Sequence, residues 1–399
     1  MLLFSIPPTP GRETVQMGRG SLDSTGDTQS AHDPVQTQEL LTLAMLPGIG
    51  PRTLTSLLEK FGDAGRVLAA SSSQLASIRG VGSKLVHTIQ TAQHHCDASS
   101  VVAWCEQNGV RILTQTCHAY PDPLNELSDA PPILFLRGTW AMEDELAVAI
   151  VGTRHATPYG LQQASRFGYA LAKAGVTIVS GLARGIDAAA HQGAIDANGR
   201  TIAVLGSGLA NIYPREHSPL ADSIAKRGGV LSEYSPFAKP KGGMFPQRNR
   251  LISGMTLGTL VIEAPDRSGA LITARLAGEQ NREVFALPGP ITSRASRGCN
   301  QLIRDGAKLV QTVDDILEEL GPTRDPIELS DGRQLRNASE LTLNEVEQIV
   351  LKAIGTESTL IDQVIEASEL PAQRVIAVIS VLEMRRLVRR LSGQYVSRI

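Results

Sequence analysis

The sequence predicts an α/β protein whose centre is an extended Rossmann-like sheet, doubly wound and mostly parallel. The first observation behind this fold class is the stretch 176–191, VTIVSGLARGIDAAAH, in which an apolar, β-branched run breaks at a glycine turn and continues as a helical pattern. The second is that the same strand, turn and helix unit recurs on both sides of it. Strands that alternate with helices pair in parallel through right-handed crossovers, which places helices on both faces of one sheet.

The strands of this sheet are the apolar runs that end in turns containing glycine or proline. We expect them at residues 146–151, 176–179, 201–205, 260–263 and 283–287. Runs that are apolar on both sides are typical of strands covered by two layers of helices. Ligands of such folds bind beyond the carboxyl ends of the strands, so the glycine turns should surround a site there.

Shorter elements extend this core on both sides, and together they predict a domain over residues 99–320. Residues 110–114 and 133–137 indicate short edge strands joined by a proline-rich loop. A further strand is expected at 308–310, followed by a helix at 313–320.

The N-terminal part predicts a disordered leader and then a small helical module. Residues 1–36 are rich in Pro, Gly, Ser and Thr and lack a periodic apolar pattern. Within residues 37–98, segments beginning at Leu46 and Ile78 each carry a Gly-x-Gly turn followed by a helical pattern, which resembles a helix-hairpin-helix or SAM-like module. Such turns bring backbone N–H groups to a phosphate. Two ordinary turns of a small bundle would give the same pattern.

The C-terminal part predicts a linker over residues 321–339, which are polar and lack a repeat, and then a winged-helix module over 340–399. Three helical patterns precede two short strands there, which is the order of a winged helix. Residues 371–399 contain six arginines and a single acidic residue, Glu383. This composition favours DNA contact, and a compact interaction domain with solvated arginines is the alternative.

Composition sets the class of protein and excludes several kinds of site. The 399 residues suffice for two or three domains, and the net charge of −2 excludes no function. Four cysteines without a Cys-x-x-Cys pair predict reduced thiols and no metal site. No apolar run reaches the roughly 18 residues of a membrane span, so we expect a cytoplasmic protein without a membrane partner.

No arrangement of residues indicates catalysis. The sequence has no P-loop, and the turn after the first sheet strand, Gly-Thr-Arg-His-Ala-Thr, lacks the second glycine of a dinucleotide fingerprint. His191 and Asp187 are four residues apart on one predicted helix, where capping and packing are the simpler roles. We therefore predict no catalytic residue, no cofactor and no enzyme activity.

Positive charge gathers instead at the predicted carboxyl ends of the strands. Guanidiniums bind phosphates through two parallel hydrogen bonds, and aromatic rings between them can stack on unpaired bases. The cations and the ring expected to form one DNA-binding groove are Arg154, Arg184, Arg215, Lys239, Lys241, Phe245, Arg248 and Arg250. Pairing of some arginines with Glu233, Glu263 or Asp266 is the alternative.

Four motifs in order resemble the DNA-processing protein A family, DprA/Smf. They are the segments 180–187, 206–214, 245–254 and 268–274, SGLARGID, GSGLANIYP, FPQRNRLISG and SGALITA. The resemblance implies a non-enzymatic protein that binds single-stranded DNA, protects incoming DNA in natural transformation, loads the RecA recombinase and acts as a homodimer. We expect five further residues of these motifs to bind DNA: Ser180, Gly181, Gly206, Gly208 and Asn249.

Two other functions stay open from the sequence. Residues 258–263, GTLVIE, resemble the G-T-x-x-E element of nucleotide phosphoribohydrolases, although the usual paired glycines are missing and Glu263 is one residue further on. The winged-helix module could instead belong to a transcriptional regulator.

Overall fold

The computed structural model of the protein describes residues 34–95, 97–320, 322–328, 334–391 and 394–399. The expected leader therefore lies outside the described residues as far as position 33, and a helix begins at Pro34.

The N-terminal module is a small helical bundle with its own core. Its helices are α1 (Pro34–Ala44), α2 (Pro51–Phe61), α3 (Ala64–Ala69), α4 (Ser72–Ala76), α5 (Ser83–Gln90) and α6 (Ala92–His95). The two Gly-x-Gly turns directly precede α2 and α5. Helix α1 joins the bundle to the next domain, because Leu43 packs inside the bundle while Leu41 is buried in the core of the sheet domain.

The central domain contains a sheet of nine described strands in the order β1-β2-β6-β5-β4-β3-β7-β8-β9. The strands are β1 (Val110–Thr114), β2 (Ile133–Gly138), β3 (Ala147–Val151), β4 (Thr177–Ser180), β5 (Thr201–Val204), β6 (Gly229–Ser232), β7 (Gly258–Val261), β8 (Glu283–Ala286) and β9 (Lys308–Leu309). Strands β1 and β2 are antiparallel to their neighbours, and the other neighbouring strands are parallel.

Helices cover both faces of this sheet. They are α7 (Ala98–Gln107), α8 (Asp122–Asn125), α9 (Pro158–Lys173), α10 (Ile186–Asp196), α11 (Ser218–Ala225), α12 (Met244–Gly254), α13 (Gly269–Glu279), α14 (Arg297–Arg304) and α15 (Asp314–Leu317). Side-chain caps begin two of the longer ones: the hydroxyl of Thr157 accepts from the Gly160 N–H, and that of Ser268 accepts from the Ala270 N–H. The predicted doubly wound, mostly parallel sheet is confirmed.

Each strand expected from the sequence lies within two residues of its predicted position, and one strand was missed. The apolar run of strand β6 consists of Val230 and Leu231 alone, between two glycines and Ser232, and is too short to give a periodic pattern. It joins the antiparallel edge to the parallel part, because it pairs with β2 on one side and β5 on the other.

The segment expected to be a linker contains two paired strands, β10 (Pro322–Glu328) and β11 (Gln334–Asn337). Ile327 and Leu335 are buried in the same hydrophobic core as the central sheet. The sequence predicted only a linker here, because a few isolated apolar residues in a polar stretch give no periodic signal, although Ile327 and Leu335 are buried in the folded chain.

The C-terminal module has the order expected of a winged helix. It consists of α16 (Glu345–Ala353), β12 (Thr359–Leu360), α17 (Ile361–Ser368), α18 (Ala372–Met384), β13 (Val388–Arg390) and β14 (Tyr395–Arg398). Strand β14 pairs with both β12 and β13, and residues 392 and 393 of the wing turn lie outside the described residues. None of the described helices is long and apolar enough to cross a membrane.

Candidate nucleic-acid interface

A cavity of about 730 Å³ lies beyond the carboxyl ends of β3 and β7, where the sequence predicted a site. We call it the groove. The groove is lined by the turn after β3, one face of α12 and the N-terminal end of α13. Arg154, Tyr213, Phe245, Arg248 and Asn249 are among its lining residues. A site at this place follows from the parallel strands, whose following turns meet at one edge of the sheet.

Arg154 and two aromatic rings form the exposed part of the groove. The guanidinium of Arg154 lies 5.2 Å from the centroid of the Phe245 ring, and the ring of Tyr213 lies 5.6 Å from that of Phe245. Among the described residues no carboxylate lies within ion-pair distance of Arg154. An exposed cation against a ring keeps its hydrogen-bond donors free for a phosphate while the ring holds its orientation.

Asp187 shapes the turn beneath these residues. Its Oδ2 accepts hydrogen bonds from the backbone N–H groups of Gly181, at 3.1 Å, and Ala183, at 3.3 Å. Burial raises the pKa of Asp187, and the nearby charge of Arg248 partly offsets that effect. The sequence predicted a helix-capping role for Asp187, and the structure shows instead that it fixes the loop between β4 and α10.

Arg248 forms the floor of the groove rather than its rim. The side chain is 3% exposed and donates from Nη1 to the carbonyl oxygen of Val204. Its Nε has no hydrogen-bond partner among the described residues. A Cβ at Gly181 would overlap this guanidinium, so glycine is required there for Arg248 to fit. Burial lowers the pKa of Arg248 to about 10, which leaves it charged near neutral pH.

Arg184 and Arg215 lie at the surface near the groove. Arg184 lines a smaller extension of it together with Tyr213 and Phe245. Its Nε donates to a carboxylate oxygen of Glu216 at 2.6 Å, and both side chains are about half exposed. Arg215 is exposed at the start of a short 3₁₀ helix and does not line the groove.

Lys239 and Lys241 are exposed on the segment that connects β6 to α12, as the sequence predicted for a rim. This segment is held on one side by the edge contact between the rings of Phe237 and Trp104, 5.6 Å apart. On the other side the N–H of Gly208 donates to the carbonyl oxygen of Ala238. The two lysines thus lie on a loop with fixed attachment points.

Three residues expected to contact DNA are buried and cannot reach a ligand in the groove. The hydroxyl of Ser180 donates to the carbonyl oxygen of Ile150 and ties β4 to β3. A Cβ at Gly206 would lie 2.6 Å from the ring of Phe245, and one at Gly208 would overlap the backbone of Ser235. These glycines permit close packing of the rim, and neither of them lines the groove.

Arg250 faces away from the groove, which corrects the prediction that it lies beside Arg248. Its Nη2 donates to Glu233 at 2.6 Å and its Nε lies 3.1 Å from Asp129. The Arg250 side chain is 11% exposed. The alternative that the sequence left open, pairing with Glu233, is therefore the one that the structure shows.

Most of the residues that form the far wall of the groove were not predicted from the sequence. Arg267, Ser268 and Gly269 line the groove at the start of α13, and the side-chain amide of Asn249 donates to the carbonyl oxygen of Gly269. Arg267 follows β7 as Arg154 follows β3, so the rule that found the first could have found the second.

The residues considered for catalysis are buried and form hydrogen bonds within the fold. His191 is fully buried, its Nδ1 lies 2.7 Å from the Thr201 hydroxyl, and burial lowers its pKa to about 3. Glu263 is buried and its carboxylate accepts from both the backbone and the hydroxyl of Thr157, at the start of α9. Over the described residues no group of three or more His, Cys, Asp or Glu side chains could hold a metal ion.

The flanking modules differ in how their cations are presented. Arg79 and Lys84 are exposed around the second Gly-x-Gly turn. In the winged-helix module Arg390 pairs with Glu383 and Arg398 pairs with Glu340, whereas other arginines are exposed without an ion pair among the described residues: Arg374, Arg386 and Arg389.

Comparison with known proteins gives matches to all three parts of the chain. Residues 111–321 match the family described as DNA recombination-mediator protein A, residues 334–394 match the DprA winged helix domain, and residues 40–92 match a SAM-like helix-hairpin-helix tandem.

Relatives and a solved structure agree with these matches. Protein Smf of Synechocystis sp. is 35% identical over 383 residues, which cover 88% of this chain and 96% of that protein. DNA processing protein DprA of Bacillus subtilis is 42% identical over 221 residues, 55% of this chain and 74% of that protein. The X-ray structure of DprA from Streptococcus pneumoniae superposes with a TM-score of 0.62 at 34% identity, covering 71% of this chain and 97% of that one.

The family resemblance inferred from the four motifs is confirmed. The chain belongs to the DNA recombination-mediator protein A family, DprA/Smf.

Proposed function

We propose that this protein binds single-stranded DNA in the groove, without catalysis and with little preference for base sequence. The observation that carries the proposal is the position of Arg154 over the ring of Phe245, beside the partly exposed Tyr213. A cation with free donors next to accessible rings binds a phosphate and offers stacking to the adjacent base. Lys239 and Lys241 extend this positive surface along the rim, where Arg184 is paired with Glu216.

The single strand is the form of DNA that uses all of these groups. In a duplex the bases are stacked on one another. Arg154 could still contact a phosphate, but the rings of Phe245 and Tyr213 would find no unpaired base to stack on. An unpaired strand can place phosphates on the cations and bases on Phe245 or Tyr213.

Family membership supports a role in DNA processing and recombination. We propose that the protein protects incoming DNA during natural transformation or recombination, loads the RecA recombinase on it, and acts as a cytoplasmic homodimer. The curated relatives include DNA processing proteins DprA of B. subtilis and S. pneumoniae.

Binding can be tested by fluorescence anisotropy of the full chain with oligo(dT) of increasing length and with a duplex of equal length. We expect the single strand to bind more tightly, with log K falling linearly with log salt. Absence of binding, or equal affinity for the duplex, would show that the groove has another ligand. RecA loading is tested by the lag before RecA hydrolyses ATP on DNA coated with single-strand-binding protein, which this protein should shorten.

A further inference from the structure

A second cavity, of about 690 Å³, lies between the N-terminal module and the central domain. We call it the inter-module cavity. One wall is formed by the end of α1, the first Gly-x-Gly turn and the first turn of α2. The other is formed by the proline-rich loop before β2, the segment after β6 and α12. Its volume is within the range of small-molecule sites, roughly 300–1,000 Å³, and the proposed function does not use it.

The N-terminal wall favours an anion. Helix α2 has eleven residues, and its N-cap residue Gly50 provides no side-chain cap. The N–H groups of Arg52 and Thr53 lie in the first turn, where a helix has no acceptor of its own, and both residues line the cavity. The positive end of the helix and the charge of Arg52 act together on this wall.

The opposite wall carries an excess of hydrogen-bond acceptors. One guanidinium, that of Arg250, lies between the carboxylates of Asp129 and Glu233, so the three charges sum to one negative charge. Asp129 is the more accessible of the two acids, with 32% of its side chain exposed against 9% for Glu233. A ligand that reaches this wall would therefore meet the Asp129 carboxylate and should offer it a donor.

Apolar side chains line the space between these two walls. Met45 and Ile49 come from the N-terminal module, and Pro131 and Pro132 from the proline-rich loop. These surfaces suit a flat ring whose polar atoms lie at its edge. A phosphate, an apolar ring face and an amino group at the ring edge together describe a nucleotide.

We propose that the inter-module cavity holds one nucleotide of a bound single strand, its phosphate at the start of α2 and an amino-bearing base against Asp129. The proposal rests on the proposed function and narrows it, because one nucleotide of the bound strand is then selected by its base while the groove holds the others without base preference. Both sites border α12: Phe245 and Arg248 line the groove, whereas Gln247 and Arg250 line the cavity. Cytosine donates from its N4 amino group where thymine presents the O4 acceptor, so Asp129 should accept the first and repel the second.

The test compares oligo(dC) with oligo(dT) of equal length at neutral pH, by anisotropy with the full chain. We expect the parent to bind oligo(dC) about fivefold more tightly or better. Asp129→Asn should lose this preference, because an amide can serve either base, while Arg250 keeps Glu233 as its partner. Ala44→Phe, which fills the cavity from α1, should lose it as well. Arg166→Ala, on α9 away from the cavity, is the control and should keep it.

The outcomes separate this inference from the proposed function. Equal affinity of the parent for the two oligonucleotides overturns the inference alone, and so does a preference that survives in both Asp129→Asn and Ala44→Phe. Failure of the parent to bind either oligonucleotide overturns the proposed function with it. Thermal unfolding of each variant shows that a lost preference is measured on folded protein.

Discussion

Arg248 and Arg250 lie two residues apart on α12, and they serve opposite sides of it. Successive residues of a helix are rotated by about 100°, so positions i and i+2 do not share a face. Arg248 contacts the backbone of Val204 under the groove, and Arg250 lies between Glu233 and Asp129 under the inter-module cavity. A motif that appears in sequence as one basic pair is thus divided by the helix between two environments.

The comparison teaches that the number of cations in a motif does not measure the charge available to a ligand. Arg250 is neutralised by two acids and attaches the proline-rich loop to α12. Arg248 is buried and shapes the turn at Gly181. Arg154, from a different strand end, is an exposed guanidinium of the groove, as is Arg267.

The largest expected effect is on stability, from Arg250→Ala. Removal of the guanidinium leaves the carboxylates of Glu233 and Asp129 together without their cation, and breaking a buried ion pair in this way costs about 3–5 kcal/mol. Urea unfolding should show the loss. Arg275→Ala, which breaks an exposed pair with Glu279, is the matched control and should leave the midpoint unchanged.

The affinity of the folded Arg250→Ala protein for oligo(dT) should stay near that of the parent, because Arg250 lines the inter-module cavity and not the groove, and oligo(dT) is the strand that this cavity does not favour. A variant with normal stability and weak DNA binding would mean that Arg250 contacts DNA after all, as the sequence predicted. A double variant Arg248→Ala/Arg250→Ala would combine lost stability with any lost DNA contact, so the single variants are the more informative test.

The next effect is on affinity, from Arg154→Ala. Loss of a charge-assisted contact to phosphate should weaken single-strand binding about tenfold or more, with an unchanged melting temperature. Arg166→Ala is a close match, because Arg166 also lies over a phenylalanine ring, at 5.6 Å, but outside the groove. Equal losses in the two variants would indicate a general charge effect and no specific role for Arg154.

A smaller change of opposite sign is expected from Glu216→Ala. Glu216 forms an ion pair with the guanidinium of Arg184 at the edge of the groove. Removing the Glu216 carboxylate leaves Arg184 available to bind a phosphate. Affinity for oligo(dT) should rise about twofold at low salt and return to the parent value at high salt, where exposed charges are screened. A decrease would place Glu216 itself among the contacts.

The remaining prediction concerns the pH dependence of stability and the buried layer under the groove. Burial lowers the pKa of His191 from 6.5 to about 3. Between these two pH values the unfolded chain binds a proton at His191 and the folded chain does not. His191 therefore makes stability fall as pH decreases through this window, by at most about 1.4 kcal/mol per pH unit. The raised pKa of Asp187 acts in the opposite direction, because the folded chain then holds the extra proton.

Comparison with His191→Gln isolates the histidine contribution. Urea midpoints measured from pH 7 to pH 4 should fall less steeply in the variant than in the parent. Parallel slopes in the two proteins would mean that His191 takes up its proton in the folded state.

The sequence by itself determined the fold class, the order of the strands along the chain, the family and the edge of the sheet at which a site lies. These follow from local patterns: apolar runs, glycine turns and the alternation of strand with helix. The positions of Arg154 and Arg184 at this edge follow from the sequence in this way, because a residue that follows a parallel strand lies at that edge whatever surrounds it.

Only the tertiary structure decided which of the basic residues remain available. Asp129 and Glu233 are 121 and 17 positions before Arg250, and Val204 is 44 before Arg248, so no local pattern contains these contacts. The burial of Ser180 and the second cavity between the modules depend likewise on surfaces that meet only when distant segments pack together. A side chain's charge is a property of its residue type, but its availability to a ligand is a property of the groups that folding places around it.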